Sequence, residues 1–401
     1  MDYVVYSSSE LLTVMPYRVE NPTDIVAFPT PFILATQLMD YLKFRQEFTR
    51  VFGYRENMLS EVETVNELFY ADNIEMLEKV VRNKLNFTEF YFPMKTKADI
   101  LRVMAHVNQM QFMRDDEKNL LDKTITLFGN VLQKERNEIE KLAIFLKQKG
   151  RLITWKKKMV SLSSQIYRKL EYILPAVGID YYKSGPQKVF QGDYVITTTS
   201  FEDIKQIYVD LYEIICDMAI IIVGLDNAYT RKDFNKLRDN NGIDMDSLEK
   251  FSTITKKGKI VRYISSEEEF ERLVCNLLSP DVRNAIGHYS YEGEEVANGR
   301  GQIIRFVDIK DKNKFTEKTL IEICYDIWQM YKCLAVFYEL IYRIEMVNLN
   351  REGIQTTSLR RLDTGVNLKS KTIVKPMKIY PNELCPCGSR KKYKKCCGKK
   401  F

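Results

Sequence analysis

Residues 200–225, SFEDIKQIYVDLYEIICDMAIIIVGL, form an unbroken helical pattern in the 401-residue chain. From Ile204 to Leu225 the apolar residues recur at spacings of three and four, as they do in a helix that packs one face against a core. Ser200 and Asp203 suit the start of a helix, because an N-cap hydroxyl accepts a free backbone N–H and an early acid complements the helix dipole. The stretch therefore predicts a long helix that begins after Ser200.

A second pattern of the same kind covers residues 320–344. Its apolar positions are Leu320, Ile323, Ile327, Met330, Leu334, Phe337, Ile341 and Ile344. Two long helices that each bear an apolar face are natural antiparallel partners in a helical bundle. The sequence thus predicts a bundle built around these two helices.

Further helices are predicted between the two long ones. Ser266 and Glu269 form the sequence of a capping box, which indicates a third helix through Phe270. Ser279-Pro280 indicates the start of another helix, because proline is favoured at the first helical position.

Two segments near the bundle show strand character. Residues 194–199, YVITTT, precede the first long helix and have the composition of a strand. Asn298-Gly299 lies between residues 294–296 and 302–307, and this dipeptide is typical of a tight hairpin turn. The sequence therefore predicts a small β-hairpin inserted in the bundle.

The first half of the chain shows helical patterns and few strand signals. Apolar residues from Leu121 to Leu146, interrupted only at Glu135, predict one long amphipathic helix that ends at Gly150. Shorter helical patterns cover residues 34–52, 56–85 and 97–111. They predict a helical region but indicate no function for it.

The composition places the chain among globular proteins. With 45% hydrophobic and 12% aromatic residues it can bury extensive cores, and its length fits two or three domains. Met1-Asp2-Tyr3 lacks the basic start of a signal peptide. The longest apolar run, residues 214–225, contains Asp217 and is too short to cross a bilayer. We therefore expect a cytoplasmic protein.

The positive charge of the chain is concentrated at its C-terminal end. The chain has a net charge of +7, and from Lys369 onward eleven Lys and Arg residues face the single acid Glu383, a net +10, which leaves −3 for residues 1–368. Such clustered charge binds phosphate backbones through counterion release without reading sequence. The alternative is a solvated linker that only maintains solubility.

Four of the eight cysteines, Cys385, Cys387, Cys396 and Cys397, form a Cys-x-Cys…Cys-Cys cluster in the last seventeen residues. Four thiolates suit one closed, tetrahedral Zn²⁺ site, which would be structural because it has no open coordination position. The alternative is a disulfide-stapled tail, although pairs this close suit a metal better in a cytoplasmic protein. The spacer between the pairs forms a cationic loop that we expect to bind RNA: Arg390, Lys391, Lys392, Lys394 and Lys395.

This tail resembles the SEC-C motif, a short zinc-binding segment found at the end of many bacterial proteins. The match runs nearly residue for residue from Cys385 to Gly398, and Arg390 stands where the family usually has glycine. The resemblance implies one structural Zn²⁺ per chain.

The candidate catalytic residues follow Pro280 in the string Asp281-Val-Arg283-Asn284-Ala-Ile-Gly-His288. An imidazole that titrates near neutrality can move protons, and a guanidinium can bind a phosphate through two parallel hydrogen bonds. Both suit RNA cleavage in which the 2′-hydroxyl attacks the neighbouring phosphate, a reaction that needs no metal and leaves DNA uncut. Four residues apart on a helix, Asn284 and His288 share a face, so we expect Asn284 to hydrogen-bond the imidazole.

A structural explanation of the same residues has to be weighed. Arg283, Asn284 and His288 would then be a buried trio that ties helices together. The chain has one other histidine, His106, which Arg102 precedes with only three residues between. His106 lies in an ordinary amphipathic pattern, so we interpret it as structural.

The Arg283-Asn284-x-x-x-His288 string resembles the Arg-x4–6-His signature of the HEPN superfamily, in which asparagine after the arginine is a preferred variant. The resemblance implies an all-helical bundle and a metal-independent endoribonuclease with Arg283, Asn284 and His288 in the site. It also implies a homodimer whose two motif helices complete one composite site. Proteins of this kind act in toxin–antitoxin and abortive-infection systems, so an antitoxin or a phage-derived trigger would be a further partner.

The predicted protein is mainly α. It has a helical N-terminal region over 1–195, a HEPN-like bundle over 196–348, a basic linker over 349–380 and the SEC-C motif over 381–401. The predicted function is RNA cleavage for antiphage defence, with the tail recruiting RNA (transfer, messenger or ribosomal) or the ribosome. The alternatives are a catalytically silent nucleotide- or RNA-binding protein and an adaptor for the ribosome or the secretion machinery.

Overall fold

The structure, a computed structural model, describes one unit of the chain. The described residues are Met15–Pro16, 39–88, 91–112, 115–148, 150–191, 194–196, 198–237, 247–253, 260, 263–264, 270, 278–296, 302–354 and 356. The chain divides into the units Met1–Thr356 and Thr357–Phe401, and every described residue belongs to the first. Within these residues helices predominate over short strands, so the predicted mainly α class is confirmed.

The N-terminal part of the described chain is a succession of helices joined by short turns. Local signals account for some starts; at Thr96 and Asp99, for example, a capping box satisfies two backbone N–H groups before the fourth helix. The helices are α1 (Tyr41–Asn57), α2 (Leu59–Tyr70), α3 (Ile74–Asn83), α4 (Lys97–Gln109), α5 (Asp115–Lys134), α6 (Arg136–Gln148), α7 (Arg151–Arg168), α8 (Leu170–Val177) and α9 (Pro186–Gln191).

Two helices predicted here as continuous are broken. The single helix predicted up to Gly150 is the pair α5 and α6, with the break at Glu135. Glu135 occupies a position where the helical pattern would place an apolar side chain in the core. Since burial of an unpaired carboxylate is costly, Glu135 instead forms an ion pair with Lys232. The pattern over 56–85 is likewise divided, because Asp72 adopts a left-handed conformation with φ 56° and Asn73 caps α3.

In the C-terminal part of the unit the described residues form two long helices, two short ones and four strands, and a further strand, β1, comes from the beginning of the chain. Ser200 and Asp203 form the capping box that starts the first long helix, as predicted, and Thr319 and Glu322 form another at the start of the second. The elements are β1 (Met15–Pro16), β2 (Tyr194–Val195), α10 (Phe201–Arg231), α11 (Leu248–Phe251), α12 (Pro280–Gly287), β3 (Tyr291–Val296), β4 (Gln302–Val307), β5 (Phe315–Thr319) and α13 (Leu320–Arg351).

The two long helices α10 and α13 run in the same direction, so the predicted antiparallel arrangement is wrong. Both helices begin beside the strands. At the start of α10 the centre of the Phe201 ring lies 5.6 Å from that of Phe306 in β4, and α13 follows β5, the neighbour of β4, directly. Both helices contact α6 near their C-terminal ends. Gly224 of α10 packs so closely on α6 that a Cβ added to it would lie 2.7 Å from Leu142 Cδ1, and the Asn348 side chain of α13 donates to the Ala143 carbonyl at 3.1 Å. The long connection over 232–319 returns the chain to the end where α10 began, whereas antiparallel neighbours need only a short loop.

Helix α13 is the centre of the core. It is buried along most of its length and packs against α4, α5, α6 and α8 as well as against α10. Because helices from before and after residue 195 pack on α13, both parts of the chain share one hydrophobic core and form one packed unit. The division of the unit into 1–195 and 196–348 stays a prediction about sequence organisation.

The strands form two small antiparallel sheets. β3, β4 and β5 pair in that order, with Tyr291 opposite Phe306 and Ile303 opposite Thr319, and β1 pairs with β2. The predicted strands 302–307 and 294–296 are confirmed as antiparallel neighbours, while their turn at Asn298-Gly299 lies outside the described residues. The capping box at Ser266 and Glu269 also lies outside them. No helix in the described part of the chain is long and apolar enough to cross a membrane.

Candidate functional site on helix α12

Helix α12 is short and lies against α10 and β4. Ser279 accepts a hydrogen bond from the Val282 N–H at 3.4 Å, and Pro280 is the first helical residue, as the sequence predicted. Val282, Ala285 and Ile286 are buried and anchor one face of the helix. The opposite face is therefore free to present polar side chains.

The three predicted site residues lie on or next to that outer face. Asn284 and His288 are exposed, and the Arg283 side chain retains 33% of its accessible surface. The three residues therefore do not form a buried trio. The imidazole is open to solvent, which general acid–base chemistry on a large substrate requires.

Arg283 is held by an acid that the sequence reasoning did not identify. Its guanidinium forms an ion pair with Glu213 of α10, through Nε and Nη2, and its Nη1 donates to Asn284 Oδ1 at 3.3 Å. Glu213 retains 39% of its surface, so water and salt screen the pair and a polyanion can compete for the guanidinium. The only sequence signal of this contact was that Glu213, like Asp210 and Asp217, interrupts an otherwise apolar stretch.

His288 lies just beyond the helix. α12 ends at Gly287, and the His288 backbone N–H donates to the Asn284 carbonyl at 3.0 Å. The expected hydrogen bond from the Asn284 side chain to the imidazole is not formed, and the Asn284 amide oxygen accepts from Arg283. Among the described residues the imidazole has no hydrogen-bond partner.

The turn after His288 has a defined geometry. The Tyr289 N–H donates to the Ile286 carbonyl at 3.2 Å, and the Ser290 N–H donates to the Ala285 carbonyl at 2.9 Å. These two bonds form a Schellman motif, which places its penultimate residue in the left-handed region, and Tyr289 has φ 55° there. The Tyr289 side chain is 81% exposed.

A second charged cluster on α10 lies beside this turn. Lys205 forms an ion pair with Glu202 and donates to the Tyr291 hydroxyl at 2.8 Å, while that hydroxyl donates to Glu202 at 2.9 Å. Hydrogen bonds to Glu202 and then to Tyr291 raise the pKa of Lys205, so it stays charged. Its ammonium lies 5.9 Å from the centre of the Tyr289 ring. Arg283 and Lys205 are thus each paired with a neighbouring acid.

His106 has a different environment, in line with its structural interpretation. Its Nδ1 lies 3.2 Å from the Tyr91 hydroxyl, and its ring packs edge-on against Phe87 at 4.8 Å between centres. Burial lowers the pKa of His106 below its ordinary value of 6.5. The neutral ring therefore packs with these aromatic groups in the first half of the unit.

The predicted metal ligands Cys385, Cys387, Cys396 and Cys397, and the basic loop between them, lie outside the described residues. Within the described residues no group of three or more His, Cys, Asp or Glu side chains is placed to hold a metal. Cys216, Cys324 and Cys333 are buried thiols that form no disulfide, and burial raises the pKa of the Cys216 thiol to about 12. They are core residues, as expected for small apolar side chains.

Comparison with known proteins identifies the tail. Residues 382–399 match the SEC-C motif, a potential metal-binding motif. Similar segments occur in the "Protein translocase subunit SecA" of Acetivibrio thermocellus, 71% identical over 28 residues, and in that of Clostridium tetani, 61% identical over 76 residues. These matches cover 7% and 16% of this chain but only 3% and 9% of the relatives, so the likeness is restricted to a short segment. No solved structure matches the chain significantly.

Proposed function

We propose that the protein is a metal-independent endoribonuclease whose site is the outer face of α12. The observation that supports the proposal best is the exposed imidazole of His288, which follows the partly exposed Arg283 by five residues at the end of the same helix. The helix is fixed by its buried face and by the contact with Glu213, so both groups are presented on a rigid element. The Arg-x4-His string, similar to the HEPN signature, supports the same reaction.

In the proposed reaction the ribose 2′-oxygen attacks the adjacent phosphorus. His288 accepts the 2′-hydroxyl proton, the bond from phosphorus to the 5′-oxygen breaks, and the leaving oxygen takes up a proton. Arg283 exchanges Glu213 for the phosphate and stabilises the charge of the transition state, since a guanidinium binds phosphate oxygens through two hydrogen bonds. The products are a 2′,3′-cyclic phosphate and a free 5′-hydroxyl.

One imidazole cannot serve as base and acid at the same moment, which favours a homodimer. Two copies of α12 facing each other would supply one histidine for each proton transfer. The exposure of Asn284 and His288 is compatible with such pairing. Mass measurement in solution tests it: a monomer at concentrations that give full activity per chain would exclude the composite site.

The tail has a separate role in the proposal. Arg283 and Lys205 are each paired with an acid, so the site itself offers little net charge to a polyanion. We propose that Cys385, Cys387, Cys396 and Cys397 hold one structural Zn²⁺ and thereby present Arg390, Lys391, Lys392, Lys394 and Lys395 to RNA or the ribosome. Zinc content per chain, measured before and after exchange of Cys385 and Cys387 for serine, tests the ligands.

The biological context that fits this chemistry is defence of a bacterial cell. An unrestrained ribonuclease in the cytoplasm stops growth, as toxin and abortive-infection proteins do, and an antitoxin or a phage-derived trigger would control it. The helices before residue 195 pack onto the same core as α10, so they are candidates for receiving that signal. Induced expression of the wild type and of His288→Ala, with cell growth as the readout, tests the toxic effect.

The direct test is cleavage of labelled RNA in the presence of EDTA. We expect cyclic phosphate ends from wild type, no product from His288→Ala, and no product from RNA with a 2′-deoxy group at the cleaved position. His106→Gln is the matched control, because it removes the other histidine of the chain. A reaction that EDTA abolishes at saturating RNA, or that His288→Ala leaves intact, would exclude the proposed mechanism.

The second candidate is an adaptor that binds the ribosome or the secretion machinery, which the tail's likeness to segments of SecA proteins favours. Deletion of residues 381–401 distinguishes the two. An adaptor loses its function outright, whereas the ribonuclease is expected to show a raised KM with little change in kcat. The salt dependence of RNA binding should also weaken in the deletion variant, because fewer counterions are released.

A further inference from the structure

Tyr289 is an unusual residue for the position it occupies. The left-handed position of a Schellman motif is most often glycine, because a side chain there crowds the backbone. A bulky residue at φ 55° is an outlier, and such conformations persist only when the surroundings determine them. Here the motif's own hydrogen bonds hold the turn, so the tyrosine is tolerated but not required by the fold.

The turn is fixed at both ends. Before it, the Tyr289 and Ser290 N–H groups are bonded to the last turn of α12. After it, Ser290 exchanges two hydrogen bonds with Val307 of β4, from the Val307 N–H at 2.8 Å and from the Ser290 hydroxyl at 2.9 Å. The aromatic ring is therefore displayed from a rigid backbone, directly after His288.

The ring contributes little to the core. It is 81% exposed, the largest exposed fraction among the large hydrophobic side chains that the structure describes. The Lys205 ammonium, which also pairs with Glu202, lies 5.9 Å from the ring centre. These groups suit contact with a nucleotide beside the proposed catalytic imidazole. The exposed ring can stack on a base, and the nearby ammonium can contact a phosphate.

We propose that Tyr289 is a positioning residue that stacks on a base flanking the cleaved phosphate and thereby restricts the enzyme to single-stranded RNA. This rests on the proposed ribonuclease function. A base in a duplex is stacked on both faces and cannot reach the ring, whereas an unpaired base can be splayed onto it. The distance along α10 from Lys205 to Glu213 is about 12 Å at the helical rise, so the ring and Arg283 can contact neighbouring parts of one strand.

Two substitutions separate the ring's role in binding from any role in folding. Tyr289→Gly removes the ring at a backbone position that glycine prefers, so the melting temperature should be unchanged or raised. Tyr289→Phe retains the stacking face and serves as the matched control. We expect Tyr289→Gly to raise KM for single-stranded RNA about 10-fold, as loss of one stacked base does, with kcat nearly unchanged, and Tyr289→Phe to behave as wild type.

Binding without cleavage distinguishes this inference from the function on which it rests. A short single-stranded DNA oligonucleotide offers bases to stack on but no 2′-hydroxyl, and raised salt suppresses the contribution of the basic tail. If wild type binds it and Tyr289→Gly does not, the stacking role holds even if no RNA is cut. If RNA is cut but Tyr289→Gly keeps the wild-type KM and the wild-type preference for single strands, the inference is wrong.

A structural or interface role for the ring predicts other results. A lowered melting temperature in Tyr289→Gly, with Tyr289→Phe unchanged, would show that the ring serves the fold. A change in molecular mass of Tyr289→Gly in solution would show that the ring belongs to a contact between two chains. Either result would overturn the stacking role.

Discussion

The two histidines of the chain occupy opposite kinds of surroundings, although each follows an arginine. His106 lies in the last turn of α4, packed against Phe87 and Tyr91, and burial lowers its pKa. His288 lies beyond the end of α12, exposed and without a ring partner among the described residues. The difference teaches that an Arg–His spacing becomes a candidate site only where the fold leaves the imidazole accessible.

The largest expected difference between the two regions is in activity. His288→Asn should lower kcat for RNA cleavage about 100-fold or more, because a positioned acid–base group contributes about that factor. His106→Asn should leave kcat unchanged at a temperature where both variants are folded. Single-turnover cleavage with saturating enzyme measures both. Equal losses in the two variants would remove the functional distinction between the histidines.

The next largest difference should appear in stability, where the substitution of His106 should have the larger effect and that of His288 the smaller one. His106→Ala removes the ring that packs on Phe87 and Tyr91 and should lower the free energy of unfolding by about 1–2 kcal/mol. His288→Ala removes an exposed ring and should change it by less than about 0.5 kcal/mol. Denaturant unfolding of the two variants measures these values. A strongly destabilised His288→Ala would indicate that its ring is covered in solution.

A smaller effect tests the electrostatics around Arg283. Glu213→Gln keeps a hydrogen-bond acceptor and removes the charge that competes with the RNA phosphate. Since a partly exposed ion pair is worth about 0–1 kcal/mol, KM should fall by up to about 5-fold. Asp210→Gln removes a nearby acid of α10 that does not contact Arg283 and is the matched control. An unchanged KM with a lowered kcat would instead assign Glu213 to orienting Arg283.

The smallest effect concerns the pH dependence of stability. Burial lowers the pKa of His106 in the folded chain from its ordinary value of 6.5. When the pH falls below that value, the unfolded chain therefore binds a proton that the folded chain does not bind. The stability contributed by the neutral ring is thus present above that value and is lost as the pH falls. Unfolding free energies of wild type and His106→Gln at about pH 7.5 and about pH 5.5 should show a shallower loss in the variant. Identical slopes would assign the pH dependence to other groups.

Local signals predicted the starts of elements well. The helix start at Ser200 with Asp203 in its first turn, the Ser279-Pro280 start of α12 and the strand over 302–307 all appear where the sequence placed them. Each depends on hydrogen bonds or conformational preferences within a few residues, so each can be recognised without knowing the fold.

Features that depend on distant contacts were predicted less well. The relative direction of α10 and α13 was wrong, because it is set by the route of the chain through residues 232–319. The bond expected between Asn284 and the imidazole assumed a continuous helix, but α12 ends at Gly287. Glu213, seventy residues before Arg283, could be identified as its partner only once the two helices were placed together.

The sequence by itself determined the helical class, the caps, the two amphipathic helices and the SEC-C motif, because these are fixed by local spacing and composition. The tertiary structure alone decided that α13 is buried on several sides, that His106 is partly buried while His288 is exposed, and that Arg283 pairs with Glu213. The physical reason is that burial and charge pairing are properties of packed surfaces, which are formed by residues far apart in the chain.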